Sequence, residues 1–146
     1  MVIVELPHHP YVSTNCVWHP DGRSVAVLCN DLRIHFWETA AVKKTHVLSG
    51  LVNGGVQFSF NHAGDMLATT GWESKLRLWD PRTGQQLFST TVGVAGNVRF
   101  STDDKNLAVV KAPEGKLASG KSPPVRSGTP STRQSPPCWQ WTLSVS

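Results

Sequence analysis

Six histidines (His8, His9, His19, His35, His46, His62) and three cysteines (Cys16, Cys29, Cys138) are the residues of this chain with the widest chemical range. Imidazole and thiolate together would serve zinc, and an imidazole beside a carboxylate would serve as a general base. Neither use is favoured by the spacing. His8 and His9 are adjacent, so on a strand they point to opposite faces, and the other histidines stand at separate turns and strands with no carboxylate at ligand spacing. The cysteines are odd in number and lack any Cys-x-x-Cys pair, which indicates neither a disulfide framework nor a zinc site. Cys16 and Cys29 are expected on strands as small buried hydrophobes. There is no Gly-x-Ser-x-Gly elbow and no glycine-rich loop followed by Lys at the start of a helix. Asn53-Gly54-Gly55 and Gly93-Val94-Ala95-Gly96-Asn97 precede strands, where no helix N-terminus could hold a phosphate. The expectation is therefore no enzyme, with no catalytic, cofactor-binding or metal-ligating residue and no cofactor.

The elements that would carry any site are set by a repeat. Lys75-Leu76-Arg77-Leu78-Trp79-Asp80 has a poorer copy, Arg33-Ile34-His35-Phe36-Trp37-Glu38, 42 residues earlier. Without a gap, Val17-Trp18-His19-Pro20-Asp21-Gly22 falls on Ser59-Phe60-Asn61-His62-Ala63-Gly64, Ser24-Val25-Ala26-Val27 on Met66-Leu67-Ala68-Thr69, and Asp31 on Glu73. A third copy begins at Val98-Arg99-Phe100-Ser101, about 40 residues on, and then loses its ending. Apolar residues fall at every second position, as in Leu76 and Leu78, the period of a pleated strand. Between strands lie Pro20-Asp21-Gly22, Asn61-His62-Ala63-Gly64 and Asp80-Pro81-Arg82-Thr83-Gly84, whose Pro and Gly favour tight reversals. No window carries a 3.6-residue apolar stripe. The fold class is all-β.

Phe58-Ser59-Phe60-Asn61, Leu67-Ala68-Thr69-Thr70-Gly71 and Leu76-Arg77-Leu78-Trp79-Asp80 resemble the WD-repeat β-propeller family, over roughly residues 12–110, in the manner of divergent bacterial repeats. The resemblance implies four-stranded antiparallel blades of about 40–45 residues, with the Trp-Asp pair closing the third strand. It also implies a supporting hydrogen-bond set in each blade. Trp79, Glu73 and one of Thr69 or Thr70 match its positions in the second blade, followed by Asp80, and Asp31 and Trp37 match in the first. Gly50-Leu51 stands where a Gly-His pair should precede the second blade, so that set is incomplete.

Closed propellers have four to eight blades, each covered by its neighbours. This chain offers about two and a half: residues 12–54, 55–95 and a partial third over 96–111. Val2-Ile3-Val4-Glu5-Leu6, within residues 1–11, reads as the outer strand of a preceding blade. The expectation is a fragment of a larger propeller, or a protomer that self-associates through open blade edges. Residues 112–146 hold six of the ten prolines and seven serines, and Lys116, Lys121, Arg126 and Arg133 against Glu114 give +3 of the net +4. Such a tract cannot bury enough apolar area to offset its ordering entropy and is expected to be a disordered tail. Read one base earlier, with permitted third bases, Ala118 to Val125 become Gly-Ile-Trp-Glu-Val-Ala-Ser-Gly, a passable WD-repeat strand and turn, so a frameshift near Leu117 is the expected origin of the tail.

The body is thus nearly neutral. The basic residues of the tail have no aromatics among them until Trp139 and Trp141, which argues against specific nucleic-acid binding. No stretch approaches the roughly 20 apolar residues of a membrane span, and the start carries no basic segment of a secretory signal. A cytoplasmic setting is the default. The resemblance implies a noncatalytic scaffold holding a protein or peptide partner on loops between strands; the candidate loops are Asn30-Asp31-Leu32, Leu51-Val52-Asn53-Gly54 and Trp72-Glu73-Ser74. Trp72 is the candidate contact anchor. The other reading of that ring is packing on a neighbouring blade. The alternative role is a sensor segment of a larger bacterial enzyme, such as a serine/threonine protein kinase.

Overall fold

The structure, a computed structural model, describes residues 11–54, 56–111 and 117–121. The strand expected at Val2–Leu6, His8, His9, Cys138 and the tail beyond residue 121 lie outside the described residues. Within them the alternating patches become strands, and none becomes a helix. β1 (Ser13–Trp18), β2 (Ser24–Cys29), β3 (Ile34–Glu38) and β4 (Lys43–Leu48) pair in chain order as one four-stranded antiparallel sheet. β5 (Gln57–Phe60), β6 (Leu67–Thr70), β7 (Lys75–Trp79) and β8 (Gln86–Thr91) form the second sheet in the same order. β9 (Ala95–Phe100), β10 (Asn106–Lys111) and β11 (Leu117–Lys121) form a third.

The first two sheets are copies that share one irregularity. Val17 pairs with Ala26 and Val25 with Trp37 in the first; Ser59 pairs with Ala68 and Leu67 with Trp79 in the second, each shifted by 42. The bulge between Phe36 and Trp37 recurs between Leu78 and Trp79. Turns repeat as well: Leu32 (φ 59°) matches Ser74 (φ 62°), Gly22 (φ 69°) matches Gly64 (φ 77°), and Val42 (φ 49°) matches Gly84 (φ 71°). One backbone template is thus met by two side-chain sets.

Because successive strand residues face opposite ways, each sheet can bury both faces. Ala26, Leu28, Ile34 and Phe36 of the first sheet meet Phe58, Phe60, Leu67 and Trp79 of the second in one core. The other face of the second sheet, with Ala68, Leu76 and Leu78, meets Ala95, Val98, Leu107 and Val109 of the third. Each fully buried Leu or Phe contributes roughly 1.5–3 kcal/mol, so these two seams hold the stack together. The first sheet's far face carries a smaller cluster of Val25, Val27, Cys29 and Trp37.

Polar links run along the same seams. Asn15 Nδ2 donates to Gln57 Oε1 at 3.2 Å, and Thr70 Oγ1 donates to Gly96 O at 3.1 Å. His19 Nε2 lies 2.9 Å from Gly64 O and His46 Nε2 2.5 Å from Pro81 O. Only glycine suits position 64: its φ is positive, and a Cβ there would stand 2.6 Å from the His19 ring. His62 N–H and Ala63 N–H both donate to the Asp104 carboxylate, at 2.8 and 3.0 Å, and His62 Nδ1 lies 2.8 Å from Asp104 Oδ1.

Two expectations are corrected here. Cys16 lies on β1 but is exposed, because Val17 takes the face that packs on the second sheet and Cys16 takes the other. The expected disorder from residue 112 onward does not hold over Leu117–Lys121, which pair antiparallel with Asn106–Val110 as β11. A strand pairs through its backbone, so the missing Trp-Asp ending does not prevent the third sheet from gaining its third strand.

Candidate functional site

In an antiparallel meander the connections alternate between the two ends of the sheet. The β2–β3, β4–β5, β6–β7 and β8–β9 connections therefore share one end, and two hydrogen bonds lace the last three of them together. Trp72 N–H donates to Gly54 O at 3.3 Å, and Val92 N–H donates to Ser74 O at 2.9 Å. All three candidate loops come to this face. Trp72 is 64% exposed, with ring atom Cζ3 3.4 Å from where a Gly54 Cβ would stand, so the ring rests over the connecting loop and presents its other side outward. Val52, 68% exposed, belongs to the same face, with Val94 at the next connection. Leu51, by contrast, turns into the core. The result is a small apolar surface around an exposed aromatic, with the polar Asn53 on the same connection as Val52.

Beneath this face the supporting residues take their positions. Trp79 Nε1 donates to Thr69 Oγ1 at 2.9 Å, both buried, while Thr70 turns to the third sheet instead. That settles which of the two threonines meets the indole. Arg77 donates both guanidinium nitrogens to Glu73, with Nη2 to Oε2 at 2.8 Å and Nη1 to Oε1 as the second contact. The pair is nearly dry, and burial pushes the guanidinium pKa below its ordinary value. Asp80 Oδ1 accepts from Arg82 N–H at 2.8 Å and Thr83 N–H at 3.4 Å, folding the β7–β8 turn. Trp37 lies buried among Val25, Val27 and Cys29.

In the first blade, Asp31 Oδ2 lies 3.0 Å from His35 Nε2, the same i, i+4 relation as Glu73 and Arg77. The expectation that no carboxylate stands at ligand spacing from a histidine is therefore corrected. Four residues spanning a tight turn between paired strands return side by side, a proximity that sequence separation conceals. Cys29 joins them, with all three donor atoms within 4.8 Å of one another. Burial raises the Cys29 thiol pKa, a Ser13 contact opposing it, so this is no activated nucleophile. Sequence reasoning missed both acid–base pairs. The signal was present in the repeat, since Asp31 and Glu73, and His35 and Arg77, are each 42 apart.

The opposite end of the stack carries a cleft of about 350 Å³ between the first two sheets, lined among others by His19, Asp21, His46, Asp65 and Arg82. His19 and His46 are committed there to Gly64 O and Pro81 O, so the cleft is a braced seam.

A family model described as WD domain, G-beta repeat, matches residues 43–80, the span from β4 to the Trp79-Asp80 pair. WD repeat-containing protein 70 of Xenopus tropicalis is 30% identical over 105 residues, 66% of this chain and 17% of that protein. The Xenopus laevis protein of the same name is 26% identical over 121 residues, 77% of this chain and 20% of that protein. The chain thus spans about a fifth or less of these curated relatives. Among solved structures, that of U3-55K and that of the RRP9 WD40 repeats each superpose with a TM-score of 0.70 at 18% identity, covering 80% of this chain and 38% and 37% of theirs, a likeness of fold. With the Trp79-Asp80 ending, the repeating blades and these relatives, the chain carries a WD repeat over residues 43–80 and is similar to WD-repeat proteins.

Proposed function

We propose that this chain is a noncatalytic protein-interaction scaffold whose partner, a protein or peptide, docks on the loop face around Trp72. WD repeats typically mediate protein–protein contacts, and the observation that carries the reading here is the 64% exposure of Trp72 beside Val52 on a face laced by backbone bonds. A large ring already held on a rigid loop loses little entropy on binding, which is why such residues anchor interfaces. The blades over 12–54, 55–95 and from 96 onward act within a closed ring completed by further repeats or by copies of the chain. The 37–38% coverage of solved propeller chains supports that reading, as does the two-sided burial of the second blade against the one-sided seams of its neighbours. A cytoplasmic setting fits a cysteine pattern that suggests no disulfide framework.

The test is selection of ligands from a displayed peptide library on the purified full chain, followed by affinity measurement on Trp72→Ala. Loss of about 2 kcal/mol, roughly thirty-fold in Kd, is expected for an anchor. Selected peptides that bind Trp72→Ala as tightly as the parent would move the partner site elsewhere.

A further inference from the structure

We propose that Cys29, Asp31 and His35 form a binding site for a zinc-class divalent transition metal in the first blade. The site adds a ligand to the scaffold and rests on its own observations. A thiol, a carboxylate and an imidazole are a donor set that zinc and cobalt favour, whereas calcium and magnesium demand oxygen alone. All three donor atoms lie within 4.8 Å of one another, and the Asp31–His35 edge is already 3.0 Å. Bond lengths of 2.0–2.3 Å around a tetrahedron imply edges of about 3.3–3.8 Å, so small rotations of the side chains suffice.

The positions are fixed by the turn itself. Asp31 Oδ1 accepts from Arg33 N–H at 3.1 Å, which directs Oδ2 at the histidine. Cys29 N–H donates to Arg33 O and Leu32 N–H to Cys29 O, each at 3.1 Å, locking the strand ends that carry the ligands. Cys29 is 1% and His35 3% exposed, so a bound ion would sit in a dry site where its charge is poorly screened, with Asp31 at the rim as the entry side. Ser13 Oγ, 3.9 Å from Cys29 Sγ, or a water fills the fourth position. The second blade serves as an internal contrast: Gly71, Glu73 and Arg77 stand at the same repeat positions, and there a guanidinium supplies the positive charge that a metal would supply in the first.

Binding has a defined proton balance. The buried thiol gives up its proton to solvent as the metal–sulfur bond forms.

The test is titration of the reduced full chain with Co²⁺. Expected are a thiolate-to-cobalt charge-transfer band saturating at one equivalent, its displacement by Zn²⁺, and a rise in the thermal midpoint with metal. Cys29→Val removes the thiol and abolishes the band, and Asp31→Asn weakens binding at least ten-fold. The double variant Cys16→Ser, Cys138→Ser, which removes the other thiols, retains the band. A chain with native β circular dichroism and no band overturns the site. So does a band that survives Cys29→Val or disappears in the double variant. Trp72→Ala leaves the titration unchanged, so failure here is distinguishable from failure of the partner face.

Discussion

The first two blades share one backbone and solve its interior differently. In the second, Trp79 reaches Thr69 and Arg77 clasps Glu73, so these buried groups are answered within the blade and both faces pack on neighbours. In the first, Val27 stands where Thr69 stands, and Cys29, Asp31 and His35 stand where the second has Gly71, Glu73 and Arg77. A backbone template therefore constrains the register, bulges and positive-φ turns much more tightly than it constrains the polar network inside. The second blade is the structural keystone, and the first is the one with chemistry to spare.

The largest effect that tests this contrast is Arg77→Met. Removing the guanidinium leaves Glu73 in a nearly dry setting without its partner, and breaking one side of a buried pair costs about 3–5 kcal/mol. Urea denaturation should show that loss at an unchanged m-value, and Glu73→Gln, Arg77→Met together should recover part of it. A loss under 1 kcal/mol would place the pair with ordinary surface bridges and remove the distinction between the blades.

Next comes Thr69→Val, which writes the first blade's residue into the second. The indole N–H of Trp79 loses its acceptor while the volume is kept, at a cost of about 1–3 kcal/mol. Val27→Thr in the first blade should change stability by less. If both substitutions cost the same, the blades do not differ in how they seat their tryptophans.

The seams differ in the same manner, and acid separates them. The first seam's acceptors, Gly64 O, Pro81 O and Gln57 Oε1, are all neutral carbonyls, whereas the second adds the Asp104 carboxylate to Gly96 O. Partial burial raises the Asp104 pKa, but donation from His62 N–H, the His62 ring and Ala63 N–H outweighs it, and the net shift is downward. A carboxyl with a depressed folded pKa contributes stability that is full above its unfolded value, near 4, and is lost as pH falls through the folded value. The His62 and Ala63 amide resonances should therefore titrate below pH 4 in the native chain and not in Asp104→Asn. Equal acid sensitivity of the two proteins would sink the assignment.

Much of this was legible before any coordinates. Alternating Leu76 and Leu78, Pro- and Gly-bearing turns and the 42-residue repeat were enough for the all-β class, because strand period and turn chemistry are local properties, while the family was carried by the resemblance of Leu76-Arg77-Leu78-Trp79-Asp80 and its companion phrases. Side-chain pairing was less so. Thr69 and Thr70 are equal on paper, and only the pleat decides that one faces Trp79 and the other the third sheet. The proximity of Asp31 to His35 arises from a turn with Leu32 at positive φ, and composition gives no sign of it. Cys16 was misjudged because β1 has a packed face toward one neighbour only, and Leu117–Lys121 because a strand can be recruited by its backbone without an apolar pattern.

The smallest test concerns the turns. Val42 has φ 49° where the second blade has Gly84 at 71°, and a β-branched residue in the left-handed region costs about 1–2 kcal/mol. Nothing crowds the place sterically, since a Cβ on Gly84 would come no nearer than 4.0 Å to Val47 O; the difference is conformational. Val42→Gly relieves that strain but frees the unfolded chain by about 0.4–1 kcal/mol, which leaves a net gain of about 0.5–1 kcal/mol. Gly84→Val should lose slightly more than Val42→Gly gains, because it adds the strain to the better-packed blade. A destabilised Val42→Gly would mean that the half-buried Val42 side chain contributes packing larger than its strain, and that the two turns are alike in backbone alone.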